Sequence, residues 1–262
     1  GSLNFAFTDF ESGTKFEVDQ QGRRWSDTEA MYACIHQALQ AERPILSGEW
    51  LAGVGVDELS ELFDGSIELP MLVERARILN AIGVTLVDDY GGAFHRFVRD
   101  CAPAAYAGGD GLVERLIEEF PRFADVSTVD GHDVYFLKLA QLTVWLLHAA
   151  LHESGEFAVG DLDRMSAFAD YILPVALRLM GVLEYTPELA AAIDGGRELA
   201  RDSAEEIEIR ANTLFAVGHL TDAINRRRPA DLQVVVPQVD YRLWKPYHAT
   251  WVPHHLTRTI MY

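Results

Sequence analysis

"VYFLKLAQLTVWLLHAALH", residues 134–152, has the length of a helix and carries apolar side chains on nearly all of its faces. A helix that is apolar all round is typical of an element buried inside a protein. Lys138 is the only Lys, Arg, Asp or Glu in this stretch. At 3.6 residues per turn, its polar and aromatic positions form one stripe about 80° wide. The stripe consists of Lys138, Gln141, Trp145, His148 and His152.

Lys138 has two interpretations, because a lysine is rarely buried without a partner. The first is that the stripe faces solvent, or that the long side chain extends to the surface while its stem stays on apolar neighbours. The second is functional: an ammonium on a rigid, buried helix suits a single phosphate group. The stretch alone favours the first interpretation.

Helical periodicity recurs along most of the chain on both sides of this stretch. Ser26, with Glu29 three residues later, predicts a capping box that opens a helix reaching about Ala41. Ser203 and Glu206 predict a second capping box, at the start of a long helix that ends in three arginines, residues 226–228. Further helices are predicted at 47–52, 56–63, from Pro70 through Leu86, and at 91–101, 109–119, 164–181, 187–194 and 238–245.

Short β elements are predicted at two places. "LNFAF" (3–7) and "KFEVD" (15–19) alternate with period two around the turn residues 9–13. Asp130 and Gly131 separate two further β-like stretches, which is a hairpin signal. We therefore expect a mainly α protein, a single helical domain over residues 1–262, with small β-hairpin additions at the N-terminus. Gly1 and Ser2 are typical of the remnant of a cleaved tag.

Composition excludes several classes of function. The net charge of −18 opposes any duplex nucleic-acid partner, because neutralising phosphates needs a surplus of Lys and Arg. No apolar stretch approaches the ~20 residues of a membrane span, and no signal segment opens the chain, so we expect no membrane contact and a cytoplasmic location. Cys34 and Cys101 form no CxxC pair and are expected to be small core residues in a reducing compartment.

No short motif indicates a cofactor or a metal. Glycine-rich phosphate loops, GxSxG and HExxH are all missing from the sequence. His148 and His152 are four residues apart and could hold a metal from one helical face, but no third ligand has a diagnostic spacing. The histidines at 248, 254 and 255 give no better pattern. We predict no cofactor and no metal.

Asp170 stands two residues into the apolar run "FADYILPVALRLMGVL", residues 168–183. It could cap a helix that starts near Leu173, although an N-cap residue directly precedes the first helical residue and Asp170 is three residues too early. If residues 171–173 interrupt the helix, Asp170 lies instead at a helix mouth among apolar neighbours. A catalytic carboxylate gains basicity in such surroundings.

Ten stretches, read together, resemble the queuosine salvage protein family. The resemblance runs in order from end to end, and this collinearity carries it because no single motif is diagnostic. The stretches are "LNFAF" (3–7), "GRRWSDTEAMYACIHQAL" (22–39), "LPMLVERARILNAIG" (69–83), "GGAFHRFV" (91–98), "VYFLKLAQ" (134–141), "FADYILP" (168–174), "GVLEYTPEL" (181–189), "EIEIRANTL" (206–214), "DYRLW" (240–244) and "HLTRTIMY" (255–262).

The resemblance implies hydrolysis of the N-glycosidic bond of queuosine 5′-monophosphate, with release of the 7-deazaguanine base queuine for tRNA modification, on a helical fold related to DNA glycosylases. It also implies that Asp170 is the catalytic carboxylate and that Lys138 contributes to the site. Two positions depart from the family pattern. Ile172 stands where the family usually has an arginine, and Leu139 stands where it has a basic residue.

The expected chemistry suggests further substrate contacts. Lys138 would meet the 5′-phosphate, with Arg210 as a second candidate, because a strongly acidic protein needs local cations to hold an anion. Asp240 would assist departure of the base by a hydrogen bond. Stacking on the base is expected from Phe5, Phe7 or Trp244, and Tyr171 is a further substrate-binding candidate.

Two alternatives stay open at this point. One keeps the fold and makes the protein a DNA base glycosylase, which the negative charge opposes. The other is a non-catalytic helical module that binds a small molecule or a protein through the aromatic C-terminal tail.

Overall fold

The computed structural model describes residues 1–248, 250 and 252–262. These residues form eleven α-helices and two antiparallel hairpins, which confirms the mainly α prediction. The strands are β1 (Glu17–Gln20), β2 (Arg23–Ser26), β3 (Val126–Val129) and β4 (His132–Tyr135). The helices are α1 (Asp27–Gln40), α2 (Gly48–Gly53), α3 (Val56–Leu62), α4 (Leu72–Tyr90), α5 (Phe94–Asp100), α6 (Leu112–Glu119), α7 (Lys138–Leu151), α8 (Leu173–Leu179), α9 (Pro187–Asp194), α10 (Ala204–Asn225) and α11 (Val236–Tyr247).

The contacts of the chain divide it into two compact units. The first unit comprises Ser2–Cys101 together with Glu119–Arg122. The second unit comprises Gly1, Ala102–Glu118 and Phe123–Tyr262. Strands β1 and β2 and helices α1 to α5 therefore belong to the first unit, whereas both strands of the second hairpin and helices α7 to α11 belong to the second.

The N-terminal hairpin of the first unit differs from the prediction. Strand β1 pairs with β2, not with residues 3–7, and the turn between them is the two-residue sequence Gln21-Gly22. Both turn residues have positive φ, 53° and 74°, as a tight hairpin turn requires. Residues 3–7 form no strand, because Ala6 has φ 46° and leaves the extended conformation. Only an isolated bridge joins Thr8 to Lys15.

Arg75 of α4 takes the backbone oxygens that a strand at residues 3–7 would have used. Its guanidinium, fully buried, donates to the carbonyls of Leu3, Phe5 and Ala6 at 2.5–2.8 Å. The same group lies over the rings of Phe5 and Phe7, with distances to the ring centroids of 4.1 and 5.4 Å. The alternating apolar pattern therefore reflects burial around one arginine rather than pairing in a sheet.

Helices α1, α2 and α4 of the first unit agree with their predicted positions. The predicted capping box at Ser26 is wrong, because the Ser26 side chain makes no cap hydrogen bond and its hydroxyl donates to Glu17 Oε1 instead. Gly83 lets α4 approach α2 closely, since a Cβ there would lie 2.1 Å from the backbone nitrogen of Ala52.

The hairpin of the second unit forms as predicted, with Asp130 and Gly131 as the turn between β3 and β4. Helix α7 follows, but its deep burial extends only over its N-terminal half, from Lys138 to Val144, and Leu146 is 37% exposed. Helices α8, α10 and α11 pack around an apolar cluster that includes Leu177, Val217 and Leu243.

The helix predicted at 164–181 is wrong in its first half. Residues 165–172 lie outside any helix, and α8 starts only at Leu173, with Pro174 in its first turn. Proline has no N–H to donate, so it fits the first turn of a helix, where that N–H would have no partner within the helix. The non-helical segment 165–172 carries Asp170.

Within the described residues, no helix combines the length and apolarity needed to cross a lipid bilayer.

Candidate active site

Side chains from three helices hold the segment 165–172. Gln141 of α7 exchanges two hydrogen bonds with Ser166, receiving its backbone N–H at 2.8 Å and donating to its hydroxyl at 2.9 Å. Arg210 of α10 donates from Nε to the carbonyl of Ala169 at 3.1 Å. Asp240 of α11 accepts the N–H of Phe168 at 2.7 Å. These hydrogen bonds provide partners for buried backbone N–H and C=O groups in a segment that belongs to no helix or strand.

Asp170 is a buried carboxylate that also hydrogen-bonds to the backbone directly before the first turn of α8. Its Oδ1 accepts the N–H groups of Ile172 at 2.8 Å and Leu173 at 3.0 Å. The N-cap residue of α8 is Ile172, so the prediction that Asp170 stands too early to be the N-cap is confirmed. Both bonds use Oδ1, so they orient the carboxylate without engaging Oδ2.

Lys138 is the first residue of α7, and it is buried at 3% exposure. The solvent-facing alternative for this part of the stripe is therefore wrong, since Gln141 is buried as well. Further along the stripe, His148 is partly exposed and His152 is exposed. Their rings stack at 4.6 Å between centroids, and His148 Nδ1 accepts the N–H of Val159. The stripe thus runs from the buried interior to the surface.

Asp170, Asp240 and Lys138 interact electrostatically. Burial raises the pKa of Asp170, and the Lys138 ammonium, the N–H groups of Leu173 and Ile172, and Arg210 oppose that rise. Burial raises the pKa of Asp240 well above the ordinary aspartate value; the N–H of Phe168 and Lys138 oppose this rise, and the charge of Asp170 adds to it. Asp170 therefore has two cations and two N–H donors to support its charge, whereas Asp240 has one cation and one N–H donor and the charge of Asp170 against it. Paired carboxyls in unlike surroundings are typical of acid and base roles.

The guanidinium of Arg210 donates hydrogen bonds to protein groups from all three of its nitrogens. Nη1 and Nη2 donate to the two oxygens of Asp125 at 3.0 and 2.5 Å, and Nε donates to Ala169. The group lies between the rings of Phe136 and Tyr262, at 3.9 and 4.4 Å from their centroids. Its predicted contact with a phosphate stays a prediction, and these contacts favour a structural role.

The remaining predicted contacts are found in both units. Tyr171 stacks on His254 with 4.4 Å between ring centroids, and Trp244 stacks on His248 at 4.2 Å. Both pairs belong to the second unit, as do Asp170, Lys138 and Asp240. Phe5 and Phe7 belong to the first unit, where both are almost fully buried beside Arg75. Base stacking by these four aromatic residues stays a prediction.

Two residues of this site were missed in the sequence. Asp125 precedes β3 and Gln141 lies on the stripe of α7, yet neither has a spacing typical of a functional motif. Only the polar stripe could have indicated Gln141. Among the described residues, no three His, Cys, Asp or Glu side chains are grouped so that they could hold a metal ion.

Comparison with known proteins identifies the family. The family described as queuosine salvage protein matches residues 1–262. This chain belongs to the queuosine salvage protein family. A protein from Sphaerobacter thermophilus is 34% identical over 264 residues, covering all of this chain and 79% of the relative. It is named queuosine 5′-phosphate N-glycosylase/hydrolase.

Eukaryotic members of the queuosine salvage protein family carry the same name. The mouse protein is 29% identical over 274 residues, again covering all of this chain and 79% of the relative. The Schizosaccharomyces pombe protein is 30% identical over 258 residues, covering 92% of this chain and 71% of the relative. The family resemblance of the ten stretches is therefore confirmed over the whole chain.

Proposed function

We propose that this protein hydrolyses the N-glycosidic bond of queuosine 5′-monophosphate and releases queuine, which is then available for tRNA modification. The observation that carries the proposal is a buried pair of carboxyls, Asp170 and Asp240, beside Lys138 in a chain of this family. The reaction needs one carboxylate to stabilise a cation and one proton donor to assist the leaving base.

Asp170 is proposed as the carboxylate that acts on the ribose. Breaking the bond between C1′ and the base nitrogen develops positive charge on the sugar, which a nearby carboxylate stabilises. Oδ1 is held by the N–H groups of Ile172 and Leu173, so Oδ2 is the oxygen proposed to face C1′. Asp170 either takes a proton from the attacking water or attacks C1′ itself before water releases the sugar. Both routes yield ribose 5-phosphate and queuine.

Asp240 is proposed as the proton donor to the leaving base. In a 7-deazapurine, carbon replaces N7, so a common protonation site of departing purines is missing. The electron pair of the broken bond stays on the base, and a protonated Asp240 can donate to another edge of the ring. The direction of its pKa shift, upward by burial, favours the protonated form that this role requires.

Lys138 is proposed to bind the 5′-phosphate, and its charge also supports ionised Asp170. Trp244 and Tyr171, which belong to the same unit as Asp170, remain proposed contacts of the base or ribose. Phe5 and Phe7 are left out of this proposal, because both side chains are almost fully buried. Arg210 is assigned a positioning role instead of a phosphate contact, because its hydrogen bonds to Asp125 and Ala169 occupy the guanidinium.

The experiment that tests this function is mass-spectrometric detection of free queuine. The purified protein is incubated with queuosine 5′-monophosphate, with the unphosphorylated nucleoside, and with guanosine monophosphate as a control substrate. We expect queuine from the monophosphate in preference to the nucleoside, and no guanine. The Asp170→Asn variant should release it at least about 100-fold more slowly, on the scale of a missing acid, base or electrostatic group.

Near-normal turnover by Asp170→Asn would remove Asp170 from the mechanism. Stoichiometric binding of the nucleotide without any product would overturn the hydrolase assignment and favour a non-catalytic binding module.

A further inference from the structure

A buried ion pair, Asp125–Arg210, is hydrogen-bonded to the backbone of Lys138 and to the residue before Asp170. Asp125 and Arg210 meet with two parallel hydrogen bonds, Nη1 to Oδ1 at 3.0 Å and Nη2 to Oδ2 at 2.5 Å. Their side chains are only 3% and 2% exposed. A two-bond contact between guanidinium and carboxylate fixes the relative orientation of the groups as well as their distance.

The ion pair is bonded to the backbone of both site segments. Asp125 Oδ2 accepts the N–H of Lys138 at 3.2 Å, and the Asp125 carbonyl accepts the N–H groups of Phe136 and Leu137 at 3.0 and 3.1 Å. Leu137 has φ 49°, so the chain turns sharply into α7 at this carboxylate. Asp125 therefore determines where Lys138 begins its helix.

Arg210 connects the ion pair to the segment that carries Asp170. Its Nε donates to the carbonyl of Ala169, the residue directly before Asp170. The guanidinium also lies over the rings of Phe136 and Tyr262, at 3.9 and 4.4 Å from their centroids, and these contacts add to the hydrogen bonds that fix its orientation. One hydrogen bond thus joins the ion pair to the segment of Asp170, and another joins it to the backbone of Lys138.

We propose that the Asp125–Arg210 pair is the positioning element of this site, holding Lys138 and Asp170 at their working separation through its hydrogen bonds to Ala169 and to the N–H of Lys138. The proposal rests on the function proposed above for Asp170 and Lys138. Neither Asp125 nor Arg210 touches substrate in this scheme. Positioning matters because displacement of a reacting group by about 1 Å costs on the order of 100-fold in rate.

Arg210 also acts on Asp170 through its charge. The charges of Lys138 and Arg210 lower the pKa of Asp170. Asp240 is the neighbouring acid, and its pKa is raised by the charge of Asp170. Removing the cation in Arg210→Gln should raise the pKa of Asp170. Removing its neutralising partner in Asp125→Asn should lower that pKa, because the arginine charge is then less compensated. A purely structural role would not produce opposite shifts.

The experiment is a pH titration of the Asp170 carboxyl by NMR, with ¹³C-labelled aspartate and assignment by the Asp170→Asn variant. It is performed on wild type, Arg210→Gln and Asp125→Asn, each first shown by circular dichroism to be folded. We expect opposite displacements of about half a pH unit or more. Titration at the wild-type pH in both variants, or displacement of both in one direction, would overturn the proposal.

A third variant separates geometry from charge and also serves if the first two do not fold. Arg210→Lys keeps a cation, but a single ammonium cannot reproduce the two parallel bonds to Asp125 together with the bond to Ala169, which come from three different nitrogens of a planar group. We expect its kcat for queuine release to fall about 10-fold or more, with the acid limb of the pH profile unchanged. A wild-type kcat in this variant would overturn the positioning role.

Asp161→Asn is the matched control. Asp161 lies in the same unit, accepts the N–H groups of Ala105 and Tyr106, and pairs with Arg164 at 3.5 Å. Its replacement should leave the titration of Asp170 unmoved. If wild type releases no queuine, the proposed function is wrong. The NMR titration still tests whether the ion pair shifts the pKa of Asp170, so the two failures are distinguishable.

Discussion

Asp240 is bonded to the segment that carries Asp170: its Oδ2 accepts the N–H of Phe168, two residues before Asp170, at 2.7 Å. Asp170 in turn directs Oδ1 at the N–H groups of Ile172 and Leu173. The two carboxyls are therefore held by the same short stretch of backbone, and the charge of one acts on the proton affinity of the other. This coupling leads to a distinctive dependence of activity on pH.

The pH profile of kcat/KM should have an acid limb set by Asp170 and an alkaline limb set by Asp240. Burial raises the pKa of both groups, so the acid limb should lie above the ordinary aspartate value near 3.9. Below the pKa of Asp170 the rate should fall about tenfold per pH unit, as the ionised form is lost. Initial rates from about pH 4 to pH 10 test this. Full activity at the acid end would contradict an essential ionised Asp170.

Asp240→Asn should be more stable than wild type and much less active. A carboxyl whose folded pKa is raised favours unfolding as the pH increases from about 3.9, because only the unfolded state ionises freely. Asparagine keeps an oxygen for the N–H of Phe168 and does not titrate. We expect a gain in unfolding free energy of about 1–3 kcal/mol at neutral pH, which disappears near pH 4.

Urea unfolding at several pH values measures this gain. Asp133→Asn, at an exposed position on β4, controls for the loss of one negative charge from an acidic protein. A gain that is the same at every pH, or equal in the control, would refute the raised pKa of Asp240 as its cause.

Two variants of Asp170 separate its backbone hydrogen bonds from its charge. Asp170→Asn retains an oxygen for Ile172 and Leu173 but cannot ionise, whereas Asp170→Ala loses both hydrogen bonds as well. Alanine should therefore be less stable than asparagine by about 1 kcal/mol, on the scale of a net intramolecular hydrogen bond. Both variants should lose queuine release to a similar extent. Equal melting temperatures would show that these hydrogen bonds contribute nothing to stability.

The helical framework is largely predictable from the sequence, because periodicity and terminal signals act locally. Ser203 caps α10 by accepting the N–H of Glu206, as predicted, and Pro187 opens α9. The other half of the predicted capping box is displaced by one residue, since the Glu206 side chain accepts the N–H of Asp202. The failures occur where a distant side chain decides the backbone. Residues 3–7 alternate like a strand, yet Arg75 binds their carbonyls. Residues 165–172 are apolar like a helix, yet three helices contribute the hydrogen bonds that hold them.

The candidate site was predictable only in part, for the same reason. Asp170 and Lys138 stand out as charged residues in apolar stretches, whereas Asp240 is suggested only by the chemistry that the family resemblance implies. All three side chains are buried. Asp125 has no such signal, since it lies in a loop, and its importance comes from Arg210, 85 residues later in the chain. Long-range partners of this kind leave no spacing that a single sequence displays.

Lys138→Ala should weaken action on the nucleotide and leave the nucleoside nearly unaffected. A lost charged hydrogen bond to the 5′-phosphate costs about 1.5–3 kcal/mol, felt mainly in kcat/KM for queuosine 5′-monophosphate. Queuine release from the two substrates is compared by mass spectrometry. Equal losses on both would contradict a phosphate contact and indicate that Lys138 acts through the charge of Asp170.

His255 should make the protein sensitive to acid. The side chain is 2% exposed, neither ring nitrogen has a hydrogen-bond partner among the described residues, and burial lowers its pKa to about 3. A base with a depressed folded pKa destabilises the protein as the pH falls below its unfolded value near 6.5, because only the unfolded state binds the proton. His255→Leu should therefore lose about 3 kcal/mol less unfolding free energy than wild type between pH 6.5 and pH 4.

Unfolding by urea across this pH range tests the prediction, with His95→Gln, at an exposed position on α5, as the control. The packing partner of His255 is Tyr262, whose ring lies 5.7 Å away and also covers Arg210. Leucine fills a similar volume beneath that ring, so the gain should appear in the pH dependence rather than as a uniform change. Parallel stability curves for His255→Leu and wild type would mean that His255 is protonated as readily in the folded protein as in the unfolded one.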